Sequence, residues 1–96
     1  GKTMTTDANK KTLYLPLKKQ WYEMIERGEK REEYREMKPY WQKRLTGRID
    51  AVSFSYGYTK QRMTFECAGI TVGRGRPEWG APDDEVFVIK LGKRIS

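Results

Sequence analysis

The amino-acid sequence predicts a small α+β domain, a partly open β-barrel of about five to six strands with two short helices. Three observations lead to this prediction. Five short segments have strand-like patterns, two segments show helical spacing, and the apolar face of the longest strand changes near Gly69. A change of face within one strand is typical of a bulge or a barrel corner, so the strands are expected to curl.

The chain begins with a polar stretch, residues 1–10, in which Met4 is the one large apolar side chain. This stretch is expected to be a disordered N-terminal arm ahead of a single domain spanning residues 11–96. Residues 12–17 then alternate apolar and polar side chains, which predicts a first strand that ends at Pro16.

The next segment changes to a helical period. Apolar residues recur at i, i+4, i+7 and i+8, which predicts a helix whose buried face is formed by Leu17, Trp21, Met24 and Ile25. Gly28 follows the last of them and is expected to end the helix in a left-handed conformation.

From Lys30 onward a period of two predicts a strand of unusually high charge. Lys30 and Arg35 are five positions apart, an odd number, so their side chains point to opposite faces of a regular strand. A bulge in this strand is therefore expected to bring the two cations together.

The second half of the chain contains the remaining elements. The patterns predict a short helix over residues 38–45, strands over 51–56, 61–72 and 86–91, and a long Gly- and Pro-rich loop over 73–85. Loops of this length inside compact domains are usually functional or disordered.

The composition restricts the chemistry. The 96 residues include 20 Lys and Arg and 13 Asp and Glu, a net charge of +7 that favours anionic partners such as nucleic acid or nucleotides. No histidine is present, and Cys67 is the single cysteine, predicted to be a small buried side chain. Histidine- or cysteine-based triads, zinc hydrolysis and an internal disulfide are therefore excluded, and neither a metal nor a cofactor is expected. No membrane span or export signal is found, so a soluble, cytoplasmic protein is expected.

The most charge-dense stretch runs from Gly28 to Arg35. Lys30 and Arg35 together suit phosphate, because arginine offers a planar fork and lysine a point charge. Catalysis by Lys30 requires a lowered pKa, which Arg35 favours and Glu33 opposes. The alternative is a solvated strand face on which the cations pair with neighbouring glutamates, each pair contributing about 0 to 1 kcal/mol.

The loop contributes Arg74, Arg76 and Trp79. Trp79 on a Gly-rich segment between arginines is suited to stacking on a nucleobase. The alternatives are that Trp79 closes the end of the barrel as part of the core and that both arginines are ordinary surface charges.

Four features occur together: the Leu-Tyr-Leu-Pro-Leu run at 13–17, the helix after it, the Gly28-x-Lys30-x-x-x-x-Arg35 motif and the Phe-Val-Ile-Lys-Leu run at 87–91. Together they resemble the ASCH domain family of the PUA-like superfamily. The runs Glu-Glu-Tyr-Arg at 32–35, Lys-Pro-Tyr-Trp at 38–41 and Glu-Trp-Gly at 78–80 resemble a bacterial or phage-type branch of that family. The resemblance covers roughly residues 11–96.

The resemblance implies a barrel whose cleft carries Lys30 and Arg35. Members of the family are thought to bind RNA or nucleotides, some are reported as ribonucleases, and one branch deacylates N4-acetylcytidine. That branch has a threonine where this chain has Glu33, and uses a later glutamate, for which Glu78 and Glu85 lie in the corresponding region. The departure favours binding over deacylation.

Three functions follow as hypotheses. The first is a module that binds RNA, single-stranded nucleic acid, a nucleotide or a modified nucleoside, with Gly28, Lys30, Arg35, Arg74, Arg76 and Trp79 as ligand-binding residues. The second is a metal-independent amidohydrolase or weak ribonuclease with Lys30 and Glu33 as catalytic residues. The third is a protein-interaction domain with a vestigial cleft, which is favoured if Lys30 is ion-paired and side chains fill the cleft.

Overall fold

The computed structural model describes residues 11–96. The predicted N-terminal arm lies outside the described residues. The elements follow in the order β1 Thr12–Leu17, α1 Lys19–Glu26, β2 Glu32–Arg35, α2 Pro39–Arg44, β3 Ala51–Tyr56, β4 Arg62–Arg74, a short 3₁₀ helix Pro77–Trp79, and β5 Glu85–Arg94.

The five strands form one curled sheet, a half-barrel, in the order β1-β3-β4-β5-β2. β1 pairs with β3 in parallel, and the other neighbours pair in antiparallel. The first two strands in the sequence are therefore the two edges of the sheet. This arrangement agrees with the predicted small α+β domain and its partly open barrel.

The core lies inside the curl. Alternate residues of each strand point inward, as the period of two requires. α1 packs its buried Tyr22 and Ile25 onto this face, and Leu45 closes it after α2. The main cluster of buried side chains consists of Leu13, Leu15, Leu17, Tyr22, Ile25, Leu45, Val52, Phe54, Met63, Phe65, Phe87 and Ile89.

A second, smaller cluster lies on the other face of β5. Val86 and Val88 point away from the main core and pack with Tyr34 of β2, and Trp79 and Ala81 from the loop cover them. β5 is thus buried on both faces over residues 86–89, as its continuous apolar run predicts. The second cluster fixes the loop that carries Trp79.

The predicted change of face in β4 is confirmed. Its pairing with β5 shifts register between Phe65 and Cys67 and again between Cys67 and Gly69. Cys67 lies between the two shifts and is half-buried against the main core, which corrects the predicted burial.

Other predictions needed correction. β1 continues past Pro16 to Leu17, because β1 is an edge strand and an edge accommodates a proline. Leu17 therefore belongs to β1, and the helix begins at Lys19. The bulge expected between Lys30 and Arg35 is absent, since residues 32–35 pair with β5 in continuous register.

The strands on both sides of the loop are longer than predicted at their loop-facing or far ends. β4 extends to Arg74 and β5 runs from Glu85 to Arg94, since each strand continues the other's hydrogen-bonded ladder. The irregular segment is thereby shortened to residues 75–84. Neither α1 nor α2, the α-helices of residues 11–96, is long and apolar enough to cross a membrane.

Candidate functional site

An open cavity of about 290 Å³ lies at the gap between the two edge strands. The end of β1 forms one wall and β2 the other, and the guanidinium of Arg35 donates across the gap to the Pro16 carbonyl at 3.5 Å. The lining residues are Pro16, Leu17, Lys18, Trp21, Glu33, Tyr34, Arg35, Trp79 and Gly80. The unclosed barrel thus creates the cavity.

Lys30 lies behind this cavity and is not part of its lining. Only 2 % of the residue is exposed. Its Nζ donates to the carbonyl of Glu32 at 2.6 Å and to that of Trp79 at 2.7 Å, and lies 3.4 Å from a carboxylate oxygen of Glu33. Lys30 therefore connects the start of β2 to the loop at Trp79.

The groups around Nζ match one protonation state of Lys30 better than the other. Burial lowers the pKa of Lys30 from its usual 10.5, and the charge of Glu33 opposes that shift. An ammonium group has three N–H donors, and three acceptors surround it here. A neutral amine would leave one acceptor facing a lone pair, so the geometry matches the ammonium form.

Glu33 and Arg35 are two positions apart on β2, so their side chains lie on the same face of the strand. The Glu33 carboxylate, 5 % exposed, ion-pairs with Lys30 through one oxygen and with Arg35 through the other. Arg35 also donates to the carbonyl of Tyr34 at 3.0 Å, and its guanidinium lies 5.2 Å from the Trp41 ring centroid. The hydrogen bonds to Glu33, Tyr34 and Pro16 use three of the five N–H donors of the Arg35 guanidinium, which leaves two N–H donors.

Tyr34 holds the loop from the other face of β2. Its hydroxyl donates to the Glu32 carboxylate at 2.8 Å and accepts from the backbone N–H of Arg76 at 3.0 Å. Burial, followed by the bond to Glu32, raises the pKa of Tyr34 to about 12, although the Arg76 N–H acts in the opposite direction. Tyr34 and Lys30 thus attach both ends of the 3₁₀ turn to β2.

The aromatic wall of the cavity comes from Trp21 and Trp79. Gly80 has a left-handed φ of 95°, and a Cβ at this position would lie 2.9 Å from the Trp21 ring. The loop backbone therefore packs against the indole of Trp21 at a distance that glycine alone permits.

The structure brings together three of the predicted site residues, Glu33, Arg35 and Trp79, at the cavity itself. Lys30 stands behind them. Gly28 ends α1 with a φ of 81°, as predicted, and is not part of this cavity's lining. Gly28 and Lys30 line a separate cavity of about 280 Å³.

Two predicted ligand-binding residues are not part of the cavity lining. Arg74 is exposed and pairs with Asp83 at 2.5 Å. Arg76 pairs with Glu78 at 3.6 Å, and its guanidinium lies 4.8 Å from the Trp79 ring centroid. Both arginines are therefore exposed side chains paired with acidic neighbours outside the cavity.

Several lining residues were not predicted as site residues, among them Pro16, Trp21 and Tyr34. Trp21 belongs to the apolar face of the predicted helix, so its pattern indicated only the core. Pro16 in a strand pattern was the one available signal, because proline is typical of an edge strand and edge strands border the gap.

Among residues 11–96, the Asp, Glu and Cys side chains form no group of three that could hold a metal ion. No family model, curated protein or solved structure matches the chain. The interpretation of the site therefore rests on its geometry and charge.

Proposed function

We propose that the cavity between the edge strands binds a nucleotide or modified nucleoside, free or as part of single-stranded RNA. The observation that carries the proposal is that Arg35 and Trp79, 44 positions apart in sequence, line one open cavity. A cationic fork beside an aromatic face matches the two halves of a nucleotide, the anionic phosphate and the planar base.

The size of the cavity supports a small ligand. At about 290 Å³ it lies just below the range of about 300 to 1,000 Å³ that is typical of small-molecule sites. Trp21 and Trp79 supply apolar surface, and every nucleobase presents a flat face suited to stacking. A nucleotide is therefore a better match than a large apolar metabolite.

The polar groups of the cavity support a ligand with both acceptors and donors. Arg35 has two N–H groups left for a phosphate or a base carbonyl. Glu33 lines the same cavity and is an acceptor for the N–H groups at the edge of a base. In this proposal Lys30 does not touch the ligand; it holds the loop at Trp79 in place and ion-pairs with Glu33.

Equilibrium binding of the four nucleoside 5′-monophosphates tests the proposal. Arg35→Gln should weaken binding about 10- to 100-fold, because it removes charged hydrogen bonds. Trp79→Ala should weaken binding about 5- to 100-fold through lost stacking, and Trp79→Phe should restore much of it. The exposed Lys93 provides the control, since Lys93→Gln removes one charge at a residue that lines neither this cavity nor its neighbour.

Salt titration separates phosphate recognition from base recognition. If Arg35 binds a phosphate of an RNA strand, Arg35→Gln should reduce the slope of log affinity against log salt by about one. Absence of binding, or equal losses for Arg35→Gln and Lys93→Gln, would contradict the proposal.

A hydrolase is the second candidate, and the buried Lys30–Glu33 pair beside the cavity favours it. Burial lowers the pKa of Lys30, in the direction that a catalytic amine needs. The test is incubation with N4-acetylcytidine and with RNA, using Glu33→Gln and Lys30→Ala as variants. Turnover that both variants abolish supports a hydrolase, whereas no turnover by the unmodified protein excludes these two substrates.

A further inference from the structure

A second cavity adjoins the first on the outer face of the sheet. Its volume is about 280 Å³, and its lining includes Tyr14, Ser55, Tyr58 and Arg62. Pro16 lines both cavities, so the second begins where the first ends, across the edge strand β1.

The sheet register explains how this surface forms. Pro16 of β1 lies opposite Ser55 of β3, and Ser55 lies opposite Arg62 of β4. One step along the same face, Tyr14 lies opposite Ser53. Small serines in the middle strand between large residues on the flanking strands produce a trough.

Two aromatic rings border the trough without being part of the core. Tyr58, in the turn between β3 and β4, is 96 % exposed, and Tyr14 is 65 % exposed. The Arg62 guanidinium lies 5.7 Å from the Tyr14 ring centroid. Exposed aromatic rings beside an arginine are the elements with which single-strand-binding proteins stack bases and hold the backbone.

We propose that this trough is a second nucleotide subsite, in which Tyr14 and Tyr58 stack on a base and Arg62 binds a phosphate of a single strand whose neighbouring nucleotide occupies the first cavity. The inference rests on the proposed function and extends it, because it makes a strand, rather than a free nucleotide, the preferred ligand.

Charge and continuity favour a nucleic-acid strand as the occupant. No lining residue of the trough is acidic, and Arg62 is part of it. The exposed Lys18 borders the first cavity near Pro16 and adds a cation along the same path. A polyanion that extends from one cavity to the other meets positive charge on both sides of the shared proline.

The experiment compares a single-stranded RNA of about eight nucleotides, within the length that such grooves cover, with the nucleoside monophosphates. The RNA should bind more tightly than any monophosphate. A double variant, Tyr14→Ala with Tyr58→Ala, should weaken RNA binding about 5- to 100-fold and leave monophosphate binding unchanged. Arg62→Gln should weaken RNA binding and reduce its salt slope by about one.

Tyr40→Ala is the matched control. Tyr40 is also an exposed tyrosine, with the Arg44 guanidinium 3.6 Å from its ring centroid, but it lies on α2 and lines neither cavity. Circular dichroism of each variant confirms that it is folded.

The outcomes separate the two proposals. Monophosphate binding with no advantage for RNA, or RNA binding that the tyrosine variants leave unchanged or weaken no more than Tyr40→Ala does, overturns the second subsite while the first stands. Equal loss of RNA and monophosphate binding in the tyrosine variants also overturns it. If neither ligand binds the unmodified protein, the proposed function itself fails, and the second subsite fails with it.

Discussion

At the scale of single residues, Lys30 has a different role from the one its sequence motif suggested. The sequence indicated that Lys30 and Arg35 act together. In the structure Arg35 lines the cavity, whereas Lys30 donates to two backbone carbonyls. One of these carbonyls belongs to Trp79, 49 residues away in the sequence. No local pattern reveals that partner, because it depends on how the loop folds back over β2.

Replacement of Lys30 tests this positioning role. Lys30→Met should lower the free energy of unfolding by about 3 kcal/mol, because buried carbonyls lose their donor and Glu33 loses one of its two cations. Urea denaturation measures the change, and Lys43→Met on the exposed face of α2 is the control. A change below about 0.5 kcal/mol, the range of surface substitutions, would contradict the role.

The raised pKa of Tyr34 predicts how the free energy of unfolding depends on pH. Its pKa is raised from 10.0 to about 12, so the folded state retains a proton that the unfolded state loses in that interval. The stabilisation is complete below pH 10 and is lost as the pH rises toward 12.

The difference in unfolding free energy between the unmodified protein and Tyr34→Phe isolates this effect. At neutral pH the variant should be less stable by about 1 to 2 kcal/mol, because the hydroxyl makes two hydrogen bonds. The difference should shrink between pH 10 and 12. A constant difference across that interval, or the same trend in the exposed control Tyr58→Phe, would contradict the assignment.

At the scale of elements, the periods of the sequence identified both helices and all five strands among residues 11–96, and the face change near Gly69. They misjudged the start of β2, which begins at Glu32 and not at Lys30, and the ends of β1, β4 and β5. The passage of β1 through Pro16 depends on β1 being an edge, which is a property of the whole sheet and not of the segment.

The close packing of the loop against Trp21 predicts how a substitution at Gly80 affects stability and nucleotide binding. Gly80→Ala should destabilise the protein by about 1 to 2 kcal/mol through left-handed strain, and it should also weaken nucleotide binding because a Cβ would displace Trp21. Gly47→Ala is a close match, with a φ of 83° and no neighbouring atom within 4 Å. The Gly47 variant should show the strain and leave binding unchanged.

Measured together, the two glycine variants separate the backbone effect from the contact. Equal nucleotide affinities for Gly80→Ala and the unmodified protein would show that the position of Trp21 does not matter to the ligand.

At the scale of the whole molecule, the site exists because the barrel does not close. β1 and β2 are consecutive in the sequence but lie at opposite edges of the sheet, and they approach each other at Arg35 and Pro16 without pairing. The sequence predicted a partly open barrel, but not which strands border the opening, since the strand order depends on contacts distant in the chain. That is why Trp21 and Pro16 were missed.

The most direct test of the central claim is a nuclear magnetic resonance titration of the indole N–H signals with a nucleoside monophosphate. The chain has three tryptophans, of which Trp21 and Trp79 line the cavity and Trp41 does not. The signals of Trp21 and Trp79 should move in a saturable way while that of Trp41 changes least. Signals that all stay fixed, or a shift confined to Trp41, would contradict a nucleotide site between the edge strands.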